Sequence, residues 1–241
     1  MKHPEMTLNP PIDWTADYFF DLTSFEHRSI FESGSPAWNG LKRIFAYLSR
    51  SLRPGIHPSA QIMDGAILIG DDIQIGEDCI VEAGAFLRGP LIMGKGCEVR
   101  HAAYLRGGII AGDRCVFGHT SEFKNVIMLD GAKAPHFNYV GDSILGAGVN
   151  LGAGSKLSNV KVVHGNVMVS AGSQRIDSGL RKFSAILGDR VEIGCNAVLN
   201  PGTILGPGCI VYPNCSPRGY YPQNTVVKLR QEIEMAPRAE G

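Results

Sequence analysis

The stretch from Ile67 to Leu129 reads in sixes. Every sixth residue from Ile69 is apolar without a gap: Ile69, Ile75, Val81, Leu87, Met93, Val99, Leu105, Ala111, Phe117, Phe123 and Leu129. With 44% hydrophobic residues in the chain, such a run has a chance of about 10⁻³ even after allowing for the possible phases. A helix, with its period of about 3.6 residues, cannot keep these positions on one side.

Between them stand Gly70-Asp71-Asp72, Gly76-Glu77-Asp78, Gly94-Lys95-Gly96 and Gly112-Asp113-Arg114, whose Gly and Asx residues tolerate positive φ in turns. Each six-residue unit is therefore a short strand with one inward apolar side chain, closed by a turn. Three units make a triangular coil of about 18 residues, and coils stack about 4.8 Å apart as parallel strands. The pattern predicts an all-β solenoid, a parallel β-helix of hexapeptide repeats. Residues one coil apart then lie one above another. Cys79, Cys97 and Cys115 form one such column, and Arg88, Arg106 and Lys124 form another.

Composition bounds the function classes. A chain of 241 residues holds one elongated domain with small additions. Lys plus Arg equals Asp plus Glu at 23 each, so no global basic field suggests nucleic acid as a partner. The start, Met1-Lys2-His3-Pro4-Glu5, has no basic segment followed by an apolar one, and no apolar run reaches the length of a membrane span. The expectation is a cytoplasmic protein with no membrane partner. Three of the six Cys share a column and read as buried, reduced packing residues. No Cys-x-x-Cys or paired His spacing points to a metal.

Along the chain, residues 1–53 read as an N-terminal arm and a helical cap. Asp21 to Glu26 offers caps for a short helix through Glu32. Ser35-Pro36 then reads as the N-cap and first position of an amphipathic helix over Ala37 to Leu52, with Trp38, Leu41, Ile44, Phe45, Leu48 and Leu52 on one side. Such a helix suits the open end of a solenoid, whose apolar interior needs a cover. The β-helix spans 54–219, with two interruptions. The phase slips after Leu129, so Gly131 to Tyr139 reads as an irregular loop (130–142) that breaks the coil. Val160 to Arg181 has no period of six and reads as an insertion (160–182), a hairpin or a loop reaching a neighbouring subunit. Residues 220–241 close the far end and trail into a disordered tail.

In the Arg88, Arg106, Lys124 column, like charges about 5 Å apart need solvent, a carboxylate or a bound anion between them. The column is a solvated basic edge or a phosphate site in which Arg forks match the oxygens. By column, His136 stands two coils above Arg100 and close to the Lys124 edge. It is either a structural His or a general base.

Glu122-Phe-Lys124-Asn, Ala134-Pro-His136-Phe-Asn-Tyr139-Val-Gly-Asp142, Gly148-Val-Asn150-Leu-Gly-Ala153-Gly-Ser155 and Lys182-Phe183-Ser-Ala-Ile-Leu-Gly188-Asp189 carry a resemblance. They resemble the acetyltransferase half of the bifunctional enzyme that makes UDP-N-acetylglucosamine, and the archaeal sugar-1-phosphate nucleotidylyltransferases with the same left-handed β-helix. The resemblance implies the left hand, which sequence period does not. It implies that His136 is the general base and that Glu122 orients it. Arg106, Lys124, Tyr139, Asn150 and Lys182 match sugar-phosphate contacts; Ala153, Asn159 and Cys195 match positions for acetyl-CoA, the co-substrate. Val160 and Lys161 stand where bacterial members have Tyr and then Asp-Gly, and Cys195 stands where Ser is common. A homotrimer with sites between subunits is also implied. The resulting expectation is an N-acetyltransferase acting on glucosamine 1-phosphate or galactosamine 1-phosphate, without the pyrophosphorylase domain. The alternative is a non-catalytic sugar-phosphate or nucleotide-sugar binding module that partners a separate nucleotidylyltransferase.

Overall fold

A computed structural model describes residues 12–238; the start of the expected arm, 1–11, and the last residues of the expected tail, 239–241, lie outside the described residues. The chain is a left-handed parallel β-helix of about 10 turns, as the hexad pattern and the resemblance predict. Its cross-section is a triangle. The first face stacks Gly55–Ile56, Ile73–Ile75, Leu91–Met93, Ile109–Ala111, the second halves of Glu122–Met128 and Tyr139–Leu145, then Ala185–Leu187, Thr203–Leu205 and Tyr220–Tyr221. The second face is a nine-stranded ladder running from Gln61–Ile62 through Val116–His119, Lys133–His136 and Asn150–Leu151 to Val226–Val227. The third face stacks Ile67–Ile69, Phe86–Arg88, Tyr104–Leu105, the first halves of the two long strands, Lys156–Leu157 and Val198–Leu199. Strand pairing continues past residue 219, since Tyr220 lies on Ile204 and Val226 on Ile210.

Inside the prism, Ile75, Val81, Leu87, Met93, Val99, Leu105, Ala111, Phe117 and Phe123 all point inward and are buried. Both ends of the run of sixes depart from it. Ile69 stands opposite Arg88, nineteen residues on, and is 44% exposed, while Leu68 faces in opposite Leu87. At the other end Met128 takes the inward place opposite Ala111, and Leu129 packs outside the prism. The cause is coil length. Ile73 pairs with Leu91 at the regular eighteen residues, but Ile109 pairs with Val126 at seventeen.

That shortened coil corrects a second expectation. Residues 131–139 do not break the solenoid: Lys133–His136 pairs with Val116–His119, and Tyr139–Leu145 continues the next turn of the ladder. One residue lost at a corner shifts a strict period of six, which mimics an interruption. The column of His136 shifts with it. His136 lies on His119, and continuing the register of Val99 on Phe117 places His101 below, so Arg100 falls under Gly118 instead. The Cys79, Cys97, Cys115 column is as expected, buried and reduced, with each thiol donating to backbone carbonyl oxygens.

The N-terminal helix occupies a different place from the one expected. Helix α1 (Asn39–Ser51) lies along the first face and does not cover the open end. It starts later than Pro36, with Trp38 at its N-cap; Ser35 instead accepts from the Asn39 amide at 2.8 Å. The physical reason is a ladder of outward-facing Ile92, Ile110, Ile127, Ile144, Ile186 and Ile204, each lying on the next. Strands buried on both sides read as continuous apolar runs, as Leu91-Ile92-Met93 and Val126-Ile127-Met128 do. Trp38, Leu41, Ile44 and Leu48 of the helix cover this ladder together with Phe19, Phe20 and Phe183. Each Ile so buried contributes roughly 1.5–3 kcal/mol. Gln74 below and Tyr220 above end the ladder.

The insertion is a hairpin, Met168–Ala171 against Gln174–Asp177, preceded by an exposed loop. Val167 and Val169 anchor it to the same outer cluster. Phe183 N–H donates to Asn159 O, and Ser184 N–H to Asp142 O, so the chain leaves and re-enters the solenoid at one corner. No helix among the described residues is long and apolar enough to cross a membrane.

Candidate functional site

The outside of the third face carries four of the ten expected site residues, Arg106, Glu122, Lys124 and Tyr139. Two outward columns run along this face. One continues Phe86 and Tyr104 to Glu122, Tyr139 and Lys156; the other is Arg88, Arg106 and Lys124, then Gly141. The basic column seen in the sequence is therefore real, and its charges are met by neighbours. Arg106 Nη1 donates to Glu122 Oε1 at 2.6 Å, and that hydrogen bond raises the Arg106 pKa further. Lys124 Nζ lies 3.5 Å from Asp142 Oδ2. Arg88 lies 6.0 Å from the Phe86 ring centroid and Arg106 5.9 Å from that of Tyr104, within reach of a cation–π contact.

Glu122, expected to orient His136, is paired with Arg106: its carboxylate accepts from Arg106 on the third face and makes no hydrogen bond to His136. His136 is exposed at the end of its strand, where the second face turns into the third. Its ring packs edge-on against that of His119 at 5.1 Å, and His119 in turn packs against Phe137 at 4.5 Å. Phe137 adopts φ 51°, a conformation a bulky side chain rarely holds, here kept by Phe137 N–H bonding His119 O and His136 N–H bonding Asn138 Oδ1. Thr120 below it and Gly154 above it share this left-handed conformation, which marks a repeating corner of the coils.

Ala153 and Cys195 stack above His136 in one column: Lys133 lies on Asn150 and Asn150 on Glu192, so each stands three residues further along its coil. Cys195 is exposed with a free thiol. Asn150 itself stands at the other end of that stretch of the second face, and its amide donates to Glu192 at 3.1 Å. Lys182 is exposed where the insertion returns, next to the Asn159 carbonyl that receives Phe183 N–H. The fold accordingly brings Arg106, Glu122, Lys124, Tyr139 and Asn159 together, sets His136, Ala153 and Cys195 in an adjoining column, and leaves Asn150 on another face.

One residue escaped the sequence reading. Asp142, 4% exposed, accepts from Asn125 Nδ2 at 2.8 Å, from Lys124 and from the Asn159 amide. Tyr139 lies beside this carboxylate. Burial raises its phenol pKa, the charges of Glu122 and Asp142 add to that, and a hydrogen bond with Asn159 opposes it. A signal for Asp142 was present: Asn125, Asp142 and Asn159 recur every seventeenth residue, a polar column at the corner between the third and first faces. The outside of the solenoid here offers an exposed imidazole, two ion-paired cations and a buried carboxylate within neighbouring coils. That set suits binding of a polar, anionic molecule and proton transfer from it. No group of His, Cys, Asp and Glu suited to a metal ion occurs among the described residues.

Comparison with known proteins bears on the repeat and on its relatives. Residues 184–216 match the bacterial transferase hexapeptide (six repeats) family. The bifunctional sugar-1-phosphate nucleotidylyltransferase/acetyltransferase of Sulfurisphaera tokodaii is 40% identical over 81 residues, 34% of this chain and 20% of that protein. The bifunctional protein GlmU of Methanococcus maripaludis is 33% identical over 114 residues, 47% of this chain and 28% of its own length. The chain thus aligns with less than a third of either relative. Among solved structures, the acetyltransferase domain of PglB from Neisseria gonorrhoeae FA1090 in complex with acetyl coenzyme A shares 16% identity. The match covers 71% of this chain and 52% of that one, with a TM-score of 0.35, too low to carry a statement about this chain.

Proposed function

We propose, from the premise that this hexapeptide-repeat chain resembles bifunctional nucleotidylyltransferase/acetyltransferases over about half its length, that it is an N-acetyltransferase. It transfers acetyl from acetyl-CoA to the amine of an amino-sugar 1-phosphate, glucosamine 1-phosphate or galactosamine 1-phosphate. The observation that carries this reading is the third-face cluster of Arg106, Lys124 and Tyr139 one corner away from an exposed His136. Arg106 and Lys124, with Lys182, offer positive charge to a phosphate, and Tyr139 a hydroxyl to the sugar.

His136 acts as general base in this reading. It takes a proton from the amine as nitrogen attacks the thioester carbon; the C–N bond forms, the C–S bond breaks, and coenzyme A leaves as the thiol once protonated. A backbone N–H near Ala153 stabilises the oxyanion. Acetyl-CoA lies along the column of Ala153 and Cys195; Asn159, expected beside it, is buried at the opposite corner of the third face on Asp142. Asn150, on the second face, meets substrate of a neighbouring subunit in a homotrimer, whose sites then lie between subunits.

The test is thiol release from acetyl-CoA with glucosamine 1-phosphate, galactosamine 1-phosphate and free glucosamine, for the natural chain and His136→Ala. Turnover that needs both the 1-phosphate and His136 supports the transferase. Binding of the sugar phosphate with no turnover by the natural chain points to a binding module instead, and equal rates in both proteins remove His136 as base.

A further inference from the structure

Of the three cations in the outward column of the third face, two are neutralised and one is not. Arg106 is paired with Glu122, and Lys124 with Asp142. Arg88, one coil below Arg106, forms no ion pair and no side-chain hydrogen bond among the described residues. Asp72 lies against the backbone of the adjacent Gly89, beyond ion-pair distance of the guanidinium. The Arg88 guanidinium instead lies 6.0 Å from the centroid of the Phe86 ring in its own coil. A cation–π contact of that kind holds the group in place and leaves its N–H fork open to an anion.

Going down this face, the outward residues change character in order. Tyr139, in the coil of His136, offers a hydroxyl; Lys124 and Arg106 follow, then Arg88. Under Phe86 and Arg88 stand Ile67 and Ile69, 45% and 44% exposed. We infer that the acceptor site extends down the third face past Arg88, and that it takes the nucleoside diphosphate ester of the amino sugar more tightly than the simple 1-phosphate. The inference rests on the acetyltransferase reading, which seats the amine beside His136.

Lengths and charge both favour the larger ligand. The amine and the phosphorus of glucosamine 1-phosphate are four bonds apart, about 5 Å at ordinary bond lengths. An amine at His136 therefore keeps that phosphate near Lys124, in the coil just below Tyr139 and Gly141. Arg88 lies two coils below Lys124, roughly 10 Å away, and the 1-phosphate leaves it unused. In a diphosphate the second phosphorus follows the first by two bonds, about 3 Å, and carries its oxygens down the column toward Arg88. The extra negative charge then meets the one cation of the column that no carboxylate has neutralised. Beyond the phosphates, a nucleoside reaches the Tyr104 ring, 36% exposed, and the apolar end at Ile67 and Ile69, surfaces that suit a flat ring. The order of polarity along the face, hydroxyl, cations, then apolar surface, is the order of sugar, diphosphate and base in such a molecule.

Calorimetric titration tests this with UDP-glucosamine as the probe and glucosamine 1-phosphate as the comparison, on the natural chain and on Arg88→Gln. The natural chain is expected to bind UDP-glucosamine about tenfold or more tightly than glucosamine 1-phosphate, the scale of one hydrogen bond to a charged group. Arg88→Gln is expected to bring that ratio down to about one, since the fork that reads the second phosphate is gone. In thiol release from acetyl-CoA, UDP-glucosamine should show the lower KM in the natural chain and lose that advantage in the variant. Equal affinities for the two ligands in the natural chain, or the same ratio in Arg88→Gln, overturn the proposal and leave the acetyltransferase reading standing. Equal weakening of both ligands in the variant, with a smaller mass by light scattering, assigns Arg88 to a contact between copies and overturns it too. If neither ligand binds the natural chain, both readings fall.

Discussion

Gly118 shows what a single residue decides in this chain. A Cβ on it would stand 2.0 Å from the Pro135 carbonyl carbon and 2.1 Å from its oxygen, in the coil directly above. The clash is with backbone, which cannot swing aside, and the next residue of that coil is His136. Gly118→Ala is expected to lower stability by about 1–3 kcal/mol, the usual range for overpacking, seen as a drop in melting temperature. Under the proposed function it should also reduce acetyl transfer by moving the His136 strand. A melting temperature equal to that of the natural protein would show that the coils separate more easily than the close approach implies. At this scale the sequence was informative about type and less so about partner. Lys124 and Arg106 were legible as a basic column, but which carboxylate meets each depends on where a neighbouring coil places Asp142 and Glu122.

Among the elements, the helical cover shows how tertiary contact creates a pH response. His27 is 5% exposed, and its Nδ1 lies 3.1 Å from the Tyr47 hydroxyl of helix α1. Burial pushes its pKa below the ordinary value of 6.5, against the opposing charges of Glu26, Asp113 and Asp130. The unfolded chain therefore binds a proton at His27 before the folded one does. Stability from this group is complete above about pH 6.5 and falls as the pH drops toward the folded pKa. Thermal unfolding followed between pH 7.5 and 5 should show the melting temperature falling, and His27→Phe should flatten the part of that slope due to this residue. An unaltered slope in the variant would assign the pH dependence elsewhere. The helix itself was legible from its apolar spacing; its resting place was not. The Ile ladder that receives it runs across six separate strands of the first face, at spacings of eighteen, seventeen and, across the insertion, forty-two residues. Only when the coils are stacked do those residues become one surface.

Taken as a whole molecule, the solenoid distributes its candidate site over more than one face. Arg106, Lys124 and Tyr139 stand on the third face, while Asn150 and Glu192 stand on the second. Polar residues of one substrate site on separate faces of a narrow prism are reconciled when prisms pack side by side, so that one copy's second face adjoins another's third. Light scattering is expected to give three times the 26.0 kDa chain mass. A mass equal to that of one chain would leave Asn150 outside the site and return it to a purely structural role with Glu192.

The period of six determined, from the sequence alone, a parallel β-helix, its inward apolar positions from Ile75 to Phe123, the buried Cys column and the basic column. It could do so because each coil repeats the same local geometry, so local pattern and global fold carry one message. The motifs from Glu122 to Asp189 likewise identified most of the residues that gather on the third face. What only the tertiary structure decided were quantities that depend on adding coils together. A nineteen-residue coil turned Ile69 outward, and a seventeen-residue coil brought His136 over His119. The stacked Ile residues drew the helix to a side face, and stacked corners placed Asp142 between Lys124 and Asn159. Vertical neighbours in a solenoid are set by coil length, and a change of one residue at a corner, almost silent in a periodic sequence, reassigns every contact above it.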